Sequence, residues 1–554
     1  DLHSTSRRQR QMCIRDSADT LSENGKANMR LQLADNVPGR AMHKWYLGDI
    51  TLKMRRQYTD LLSNVFKYRF FSMYYDGKRP PMRARVLMKN IKMRHGQQFN
   101  YESYVQSLNK LTEMGVFRMV DVKFTPRDTT ERCDTLDLMI DCIFDKPYDF
   151  YVETNMTGKT TGRVGPGIVV GVTKHNAFRG GEKLDINLKG SYEWQTGHRA
   201  DGSSSKFNSY EYGADVSVEF PRVLAPFWQH RRWHVTPTTL LKASSNVLNR
   251  SSYFKRHVVS GELTYTFQPT ATRRHQFSPL VLQYEYMKDQ SQEFKDILQA
   301  NPYLLYTMQD RFVPQMRYSF TCMSPSSYRN PIYWQTTVSE ASNILSLGYM
   351  VAGKKWDAKD KKMFKNPFAQ YLKLETDFRK TWQVGDHSQL VAHLNGGVIW
   401  AYGNSTYAPY SEQFYVGGAN SIRAFNVRSI GPGAYFTDKA KISFMDQTGD
   451  IKLLANLEYR PRLFGNLYGA VFLDAGNIWA LKDDGVRENS QFKIKNVLKQ
   501  TALGTGIGIR YDLDFFVLRL DWGIGLHVPY KNGLYNMSGF GNSQSIHFAI
   551  GYPF

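Results

Sequence analysis

Between residues 148 and 554 the chain repeats one pattern: runs in which apolar and polar residues alternate, one run after another. Residues 168–175, 184–195, 210–220, 262–267, 280–286, 371–378 and 390–400 are clear examples. In an extended strand, successive side chains point to opposite faces, so each run presents one apolar and one polar side. A membrane strand needs about 9–11 residues, and about 16 runs of that kind can be counted, the even number that bacterial barrels favour. No stretch supplies the roughly 20 consecutive apolar residues of a membrane-crossing helix. An open sheet edge in hydrocarbon would leave backbone groups unsatisfied, so strands that cross a bilayer must close on themselves. The pattern predicts a transmembrane antiparallel β-barrel of about 16 strands.

A hydrophobic content of 42% and a mean hydropathy of −0.48 would suit a soluble protein. Alternation produces the same averages, because each lipid-facing residue is offset by a polar neighbour facing the lumen. The 34 Tyr, 33 Phe and 42 Gly fit interfacial girdles and tight bends. The balance of 72 Lys plus Arg against 50 Asp plus Glu gives a charge of +22, which raises nucleic acid as a partner. No basic helix, zinc-finger spacing or aromatic RNA-binding motif accompanies it, so nucleic acid is not expected. The excess lies in runs such as 354–362, between strand patterns, where solvated loops or anionic lipid head groups would receive it. Cys13, Cys133, Cys142 and Cys322 show neither CxxC spacing nor the density of a disulfide scaffold.

The strand pattern is broken most sharply at 413–436, QFYVGGANSIRAFNVRSIGPGAYF, which is too long and too glycine-rich for a hairpin turn. Gly417, Gly418, Gly431 and Gly433, with Pro432, let backbone pass where a side chain would clash. Ile422, Arg423, Ala424 and Phe425 set one cation between apolar anchors, as a loop packed inside something requires. This wording resembles the inward-folded loop of the BamA/TamA outer-membrane assembly factors, the bacterial surface antigen superfamily: a Gly-Gly pair, then Val-Arg-Gly-Phe, then Gly-Pro. Ala424 stands where that family usually has glycine. The resemblance places an inward loop at 403–448 of a barrel at 148–554. At the carboxyl end Ile546, Phe548, Ile550, Tyr552 and Phe554 alternate to an aromatic terminus and are expected to share one apolar face. This resembles the signal by which outer-membrane barrels are recognised for insertion.

Residues 45–147 read as a small α+β domain. A strand at 45–54, helices at 82–94 and 100–114, and strands at 116–125 and 135–143 are predicted, with 55–80 as an insertion. The ending LTEMGVFRMVDVKF resembles a polypeptide-transport-associated (POTRA) domain. Such domains offer strand edges to extended polypeptides, and 136–140 is the expected edge. Residues 1–44 are expected to be a non-native or disordered segment, because RRQRQMCIRDS reads like translated sequencing-adapter text, and the authentic N-terminus is expected upstream.

Enzyme signatures are absent from the sequence. Gly158-Lys159-Thr160 imitates the end of a phosphate-binding loop, but Glu153 occupies the leading glycine position, so a hairpin turn is expected. There is no HExxH, GxSxG or paired Cys/His cluster, Asp512 and Asp514 flank a turn, and a lone strand histidine such as His393 reads as a satisfied polar residue. No catalytic residue, metal or cofactor is expected. The resemblance implies a protein assembly, insertion or translocation factor in the bacterial outer membrane, with its POTRA-like domain in the periplasm. Its partners would be client outer-membrane polypeptides, the lipid bilayer, and periplasmic or lipoprotein accessory subunits. It also implies a weakly paired seam between 148–157 and 544–554 that opens laterally and templates a client strand. A two-partner secretion pore exporting a dedicated exoprotein is the alternative. A passive porin fits less well, since it needs no client-binding domain.

For Arg423 to enter a lumen, a wall carboxylate must receive it. LANLEYRPRL offers Glu458, VFLDAGNIWA offers Asp474 and VLRLDWGIGL offers Asp521, each in an alternating strand. Asp474 stands where the family's Asp-x-Gly wall motif stands. It shares a strand face with Phe472 and Gly476, which predicts a bidentate pair with Arg423.

Overall fold

A computed structural model describes the chain except residues 1–13, 20–27, 34–42, 131–132, 160–162, 196–208, 225–234, 251–252, 326, 386, 437–446, 514–516 and 538. It divides into two compact units, Asp1–Pro147 with Phe178–Gly181, and Tyr148–Ala177 with Glu182–Phe554.

Within the first unit, β1 (Ile14–Asp19) and β2 (Asn28–Leu33) pair as an antiparallel hairpin inside the segment expected to be disordered. The mixed sheet that follows contains β3 (Tyr46–Arg55), β4 (Asn64–Tyr68), β5 (Phe71–Tyr75), β6 (Phe117–Pro126) and β7 (Thr135–Phe144) in the order β4-β5-β3-β7-β6. Helices α1 (Ala84–Asn90) and α2 (Tyr101–Glu113) come between β5 and β6. The sequence dictates where α2 begins and ends. The Asn100 side chain accepts from the Glu102 backbone N–H at 2.8 Å, and Gly115 at φ +62 takes the left-handed position that ends the helix. Leu52, Met73, Leu87, Leu111 and Ile140 are fully buried between sheet and helices. Each contributes about 1.5–3 kcal/mol by leaving water.

Two expectations are corrected here. The insertion at 55–80 is a hairpin, β4–β5, that extends the sheet past β3. Strand β7 is not an edge, because β3 and β6 flank it; the exposed edges are β4 and β6. The strand's own apolar pattern fits both placements, since burial between two neighbours is decided by pairing.

The second unit is one 16-stranded antiparallel meander, the wall of a β-barrel. It runs from β8 (Tyr148–Lys159) through β9 (Arg163–Lys174), β10 (Lys183–Gln195), β11 (Ser209–Phe220), β12 (Val235–Arg250), β13 (Phe254–Thr270) and β14 (Arg273–Lys288). Helices α3 (Gln292–Ala300) and α4 (Pro302–Thr307) precede β15 (Arg311–Met323) and β16 (Ile332–Ala341). Helix α5 (Asn343–Val351) and a small hairpin, β17 (Lys362–Met363) with β18 (Asn366–Pro367), lead to β19 (Tyr371–Val384) and β20 (Ser388–Ala401). The wall ends with β21 (Ile451–Phe464), β22 (Leu467–Trp479), β23 (Ala502–Asp512), β24 (Val517–His527) and β25 (Gln544–Ile550). No helix among the described residues is long and apolar enough to cross a membrane.

Alternation sets the facing. On β22, Val471 and Leu473 are 53% and 47% exposed, whereas Phe472 and Asp474 are 2% and 0% exposed. The apolar set therefore lines the outside, the reverse of a soluble core. Strands β12, β13 and β14 reach 16, 17 and 16 residues, longer than a bilayer crossing requires, so this flank extends beyond the hydrocarbon. At one end of the barrel the turns are short, as at Gly465; at the other, long connections include the loop at 403–448.

Candidate functional site

The tetrad Ile422–Phe425 is buried inside the barrel against strands β21 to β25. It can lie flat there because β23 and β24 carry glycine at alternate inward positions. A Cβ on Gly504 would come within 2.5 Å of the Ala424 Cβ, and one on Gly523 within 2.5 Å of the Arg423 carbonyl oxygen. These glycines make the bed for the loop, and the repeats GTGIG and GIG are the sequence signal for them.

The turn into the tetrad uses Gly417 and Gly418 at φ +98 and +89, where the Gly418 N–H donates to the Phe425 carbonyl at 2.7 Å. A Cβ on Gly417 would meet the Asn426 carbonyl oxygen at 2.1 Å, so this position requires glycine. The exit runs through a cis Gly431–Pro432 peptide, and the Gly433 N–H donates to the Ile478 carbonyl on β22 at 2.7 Å. The part of the loop at 437–446 lies outside the described residues.

Arg423 is fully buried and forms a fork–fork pair with Asp474: Nε donates to Oδ2 at 2.9 Å and Nη2 to Oδ1 at 2.8 Å. Its backbone N–H also donates to Asp474 Oδ2, at 3.0 Å. Nη1 donates to Glu458 Oε2, and the guanidinium carbon sits 3.5 Å from the centroid of the Phe472 ring. Asp474 and Phe472 therefore act from one strand, the carboxylate at the edge of the guanidinium and the ring across its face. Asn456 adds a clamp, donating to Asp474 Oδ1 and to the Ser421 carbonyl, both at 2.8 Å.

Asp521 does not touch Arg423. It receives Arg510 Nη1 at 2.6 Å, and Arg519 Nε lies 3.6 Å away. Glu458 joins the two groups, accepting from Arg460 at 2.7 Å and Arg510 at 3.3 Å. Four arginines thus face three carboxylates, and all seven side chains are at most 7% exposed. Arg519 also reaches the loop, donating to the Ala419 carbonyl at 3.1 Å and to Asn420 Oδ1 at 2.6 Å. The three further arginines were not singled out from the sequence; their signal was inward parity on β21, β23 and β24.

The carboxyl end departs from the expected single face. Ile546 and Phe548 are each 69% exposed on the outer side of β25, but the strand ends at Ile550 and Gly551 stands at φ +85. Neither Gly551 nor Pro553 lies in the strand. Beyond the turn, Tyr552 lies over Arg460 at 4.3 Å, and Phe554 stacks on His393 with centroids 4.9 Å apart. The Phe554 centroid is 5.7 Å from the Arg423 guanidinium carbon, so this ring belongs to the interior cluster. A left-handed glycine breaks the period-two count, so the rings of Tyr552 and Phe554 turn from the face of Ile546 and Phe548 toward Arg460 and His393. Strand β25 reaches the loop as well: His547 Nε2 donates to the Arg423 carbonyl at 2.7 Å.

Helix α4 buries Tyr303 beside this loop. Its hydroxyl donates to Gln413 Oε1 at 2.6 Å, and Arg487 lies 3.7 Å over its ring. Asp514 and Thr160 fall outside the described residues. No group of three or more His, Cys, Asp or Glu side chains suited to a metal occurs among the described residues.

Residues 364–554 match the Omp85 superfamily domain, so the part of the chain that holds the loop and its wall carries that domain. A sorting and assembly machinery component 50 homolog B of Xenopus laevis is 31% identical over 128 residues, which are 22% of this chain and 26% of that relative. The BamA structure from Haemophilus ducreyi lacking POTRA domains 1-3 superposes with a TM-score of 0.59 at 11% identity, over 97% of this chain and 88% of that one. CdiB from Escherichia coli gives a TM-score of 0.50 at 12% identity, over 97% and 80% of the two chains. At such identities the structural likeness concerns the fold.

Proposed function

We propose that this Omp85-superfamily barrel assembles or translocates polypeptides at the bacterial outer membrane without covalent chemistry, by opening the seam between β25 and β8 and offering its edge to a client strand. One observation carries the reading. The last strand spans 7 residues against 12 in β8, and among the described residues no ladder bond joins the two. A membrane barrel is held shut by such bonds, so a missing ladder marks where a strand can be exchanged. The Arg423 loop complements the seam, because His547 of β25 donates to its backbone and Phe554 lies beside its guanidinium. The cluster would hold the last strand from inside while its outer edge stays available.

In this reading the small α+β unit lies in the periplasm and presents β4 or β6 to extended clients, with accessory subunits as further partners. A two-partner secretion pore remains the second reading, favoured by the likeness to CdiB. A passive porin is disfavoured by the α+β unit, which a passive pore would not need. Reconstitution in proteoliposomes with an unfolded outer-membrane barrel protein tests the proposal. Faster appearance of folded, heat-modifiable client than in protein-free liposomes is expected. No acceleration, with large and constantly open single-channel conductance, would overturn it.

A further inference from the structure

Helix α5, between β16 and β19, is inverted relative to a helix packed on a protein in water. Its polar residues face the protein: the Ser346 hydroxyl donates to Gln370 Oε1 at 2.7 Å, and Asn343 Oδ1 accepts from the Tyr402 hydroxyl at 2.9 Å. Its aliphatic residues face away, with Ile344, Leu347, Met350 and Val351 exposed by 67%, 49%, 46% and 84%. In water the apolar stripe would be the buried one.

The β17–β18 hairpin repeats the inversion with Phe364 at its tip, 75% exposed and at φ +48. Its position identifies the surroundings. The Phe364 ring centroid lies 5.6 Å from that of Phe312, and Asn366 Nδ2 donates to the Tyr284 hydroxyl at 3.2 Å. Phe312 has the strand parity of Tyr318 on β15, and Tyr284 that of Leu280 and Leu282 on β14, which form the outer, lipid-facing surface. The Tyr349 hydroxyl of α5 donates to the Lys362 carbonyl, so helix and hairpin form one unit. Lys355, Lys362 and Lys365 are exposed beside these apolar side chains, with Trp356 next to them.

We infer that residues 343–368 form a lipid anchor on the outer flank of the barrel, in which α5 and Phe364 enter the acyl region of one leaflet while Lys355, Lys362 and Lys365 meet anionic head groups. The apolar surface continues that of the wall, and an aromatic–lysine rim is what an interfacial segment presents to charged lipid. A protein groove could cover α5, but it would not require a hairpin seated on lipid-facing Phe312 and Tyr284.

Spin labels test this in the full chain with Cys13, Cys133, Cys142 and Cys322 replaced by alanine. Labels are placed singly through L347C and F364C, with L372C on the lipid-facing wall and D357C in the polar part of the segment as references. In vesicles of phosphatidylcholine with phosphatidylglycerol, labels at 347 and 364 should collide with oxygen like the one at 372. Their collisions with a water-soluble nickel complex should be several-fold rarer than at 357. The F364C label should lie deeper with phosphatidylglycerol than without it, and K355E/K362E/K365E should remove that difference. Nickel accessibility at 347 and 364 equal to that at 357 overturns the anchor. An unchanged lipid dependence in the triple variant overturns its head-group half. Protection found only in native membranes, and absent in pure lipid, assigns the face to a protein partner instead.

Discussion

Replacing Arg423 by glutamate should undock the loop from the wall. The substitution removes the two-bond fork to Asp474 and the bond to Glu458, and places a third carboxylate beside those two in a site with no solvent access. Breaking a buried pair by removing one partner costs about 3–5 kcal/mol. That corresponds to about two to four powers of ten in the ratio of docked to undocked loop. An exposed pair would be worth about 0–1 kcal/mol, so the two cases separate clearly. Trypsin cleavage within 403–448 and the yield of heat-modifiable barrel in outer membranes measure the effect. Adding Asp474→Arg should restore part of both, because the swapped pair keeps the fork while Glu458 still repels the new glutamate. Glu458→Arg should not rescue, since it would set a cation beside Arg460 and Arg510. Wild-type protection in Arg423→Glu, or rescue by Glu458→Arg or Asp521→Arg but not by Asp474→Arg, would refute the assignment.

Gly523→Ala should weaken docking by about 1–3 kcal/mol, because the added Cβ meets the Arg423 carbonyl, a backbone atom that cannot rotate aside; partial trypsin sensitivity of the loop measures it. Removing Phe554 deletes the ring stacked on His393 near Arg423, so folded barrel in the outer membrane should fall and the loop should become more cleavable; normal levels with a protected loop would contradict this. In the α+β unit, burial pushes the Cys142 thiol up to about 12, with Asp141 adding to the effect. At neutral pH it should therefore resist thiol reagents until the protein is denatured, and rapid labelling of native protein at that residue would count against the described packing.

Period-two alternation made the barrel and the inward face of Asp474 legible, because strand geometry fixes which residues share a side. The same logic reached Glu458 and Asp521 as candidates but could not separate direct contact with Arg423 from contact through Arg510, a choice that depends on the register of neighbouring strands. Phe554 was misplaced because the left-handed turn at Gly551 carries no signal beyond the glycine itself. The bed formed by Gly504 and Gly523 is not legible in the sequence, because a strand glycine alone does not say which backbone will lie against it. In the small unit, β7 has the composition of a strand but not the information that β3 would pair with it, so its interior place was missed. Helix α5 was hidden for a different reason: its apolar residues face outward, and a sequence reading assigns such a stripe to a core.

Client assembly by this barrel requires a seam that opens, and a reversible disulfide across that seam is the most direct test. One cysteine within 148–157 and one within 544–550, verified as fully crosslinked, should abolish client assembly, and reductant should restore it. Full activity in the crosslinked protein would show that the seam does not need to open.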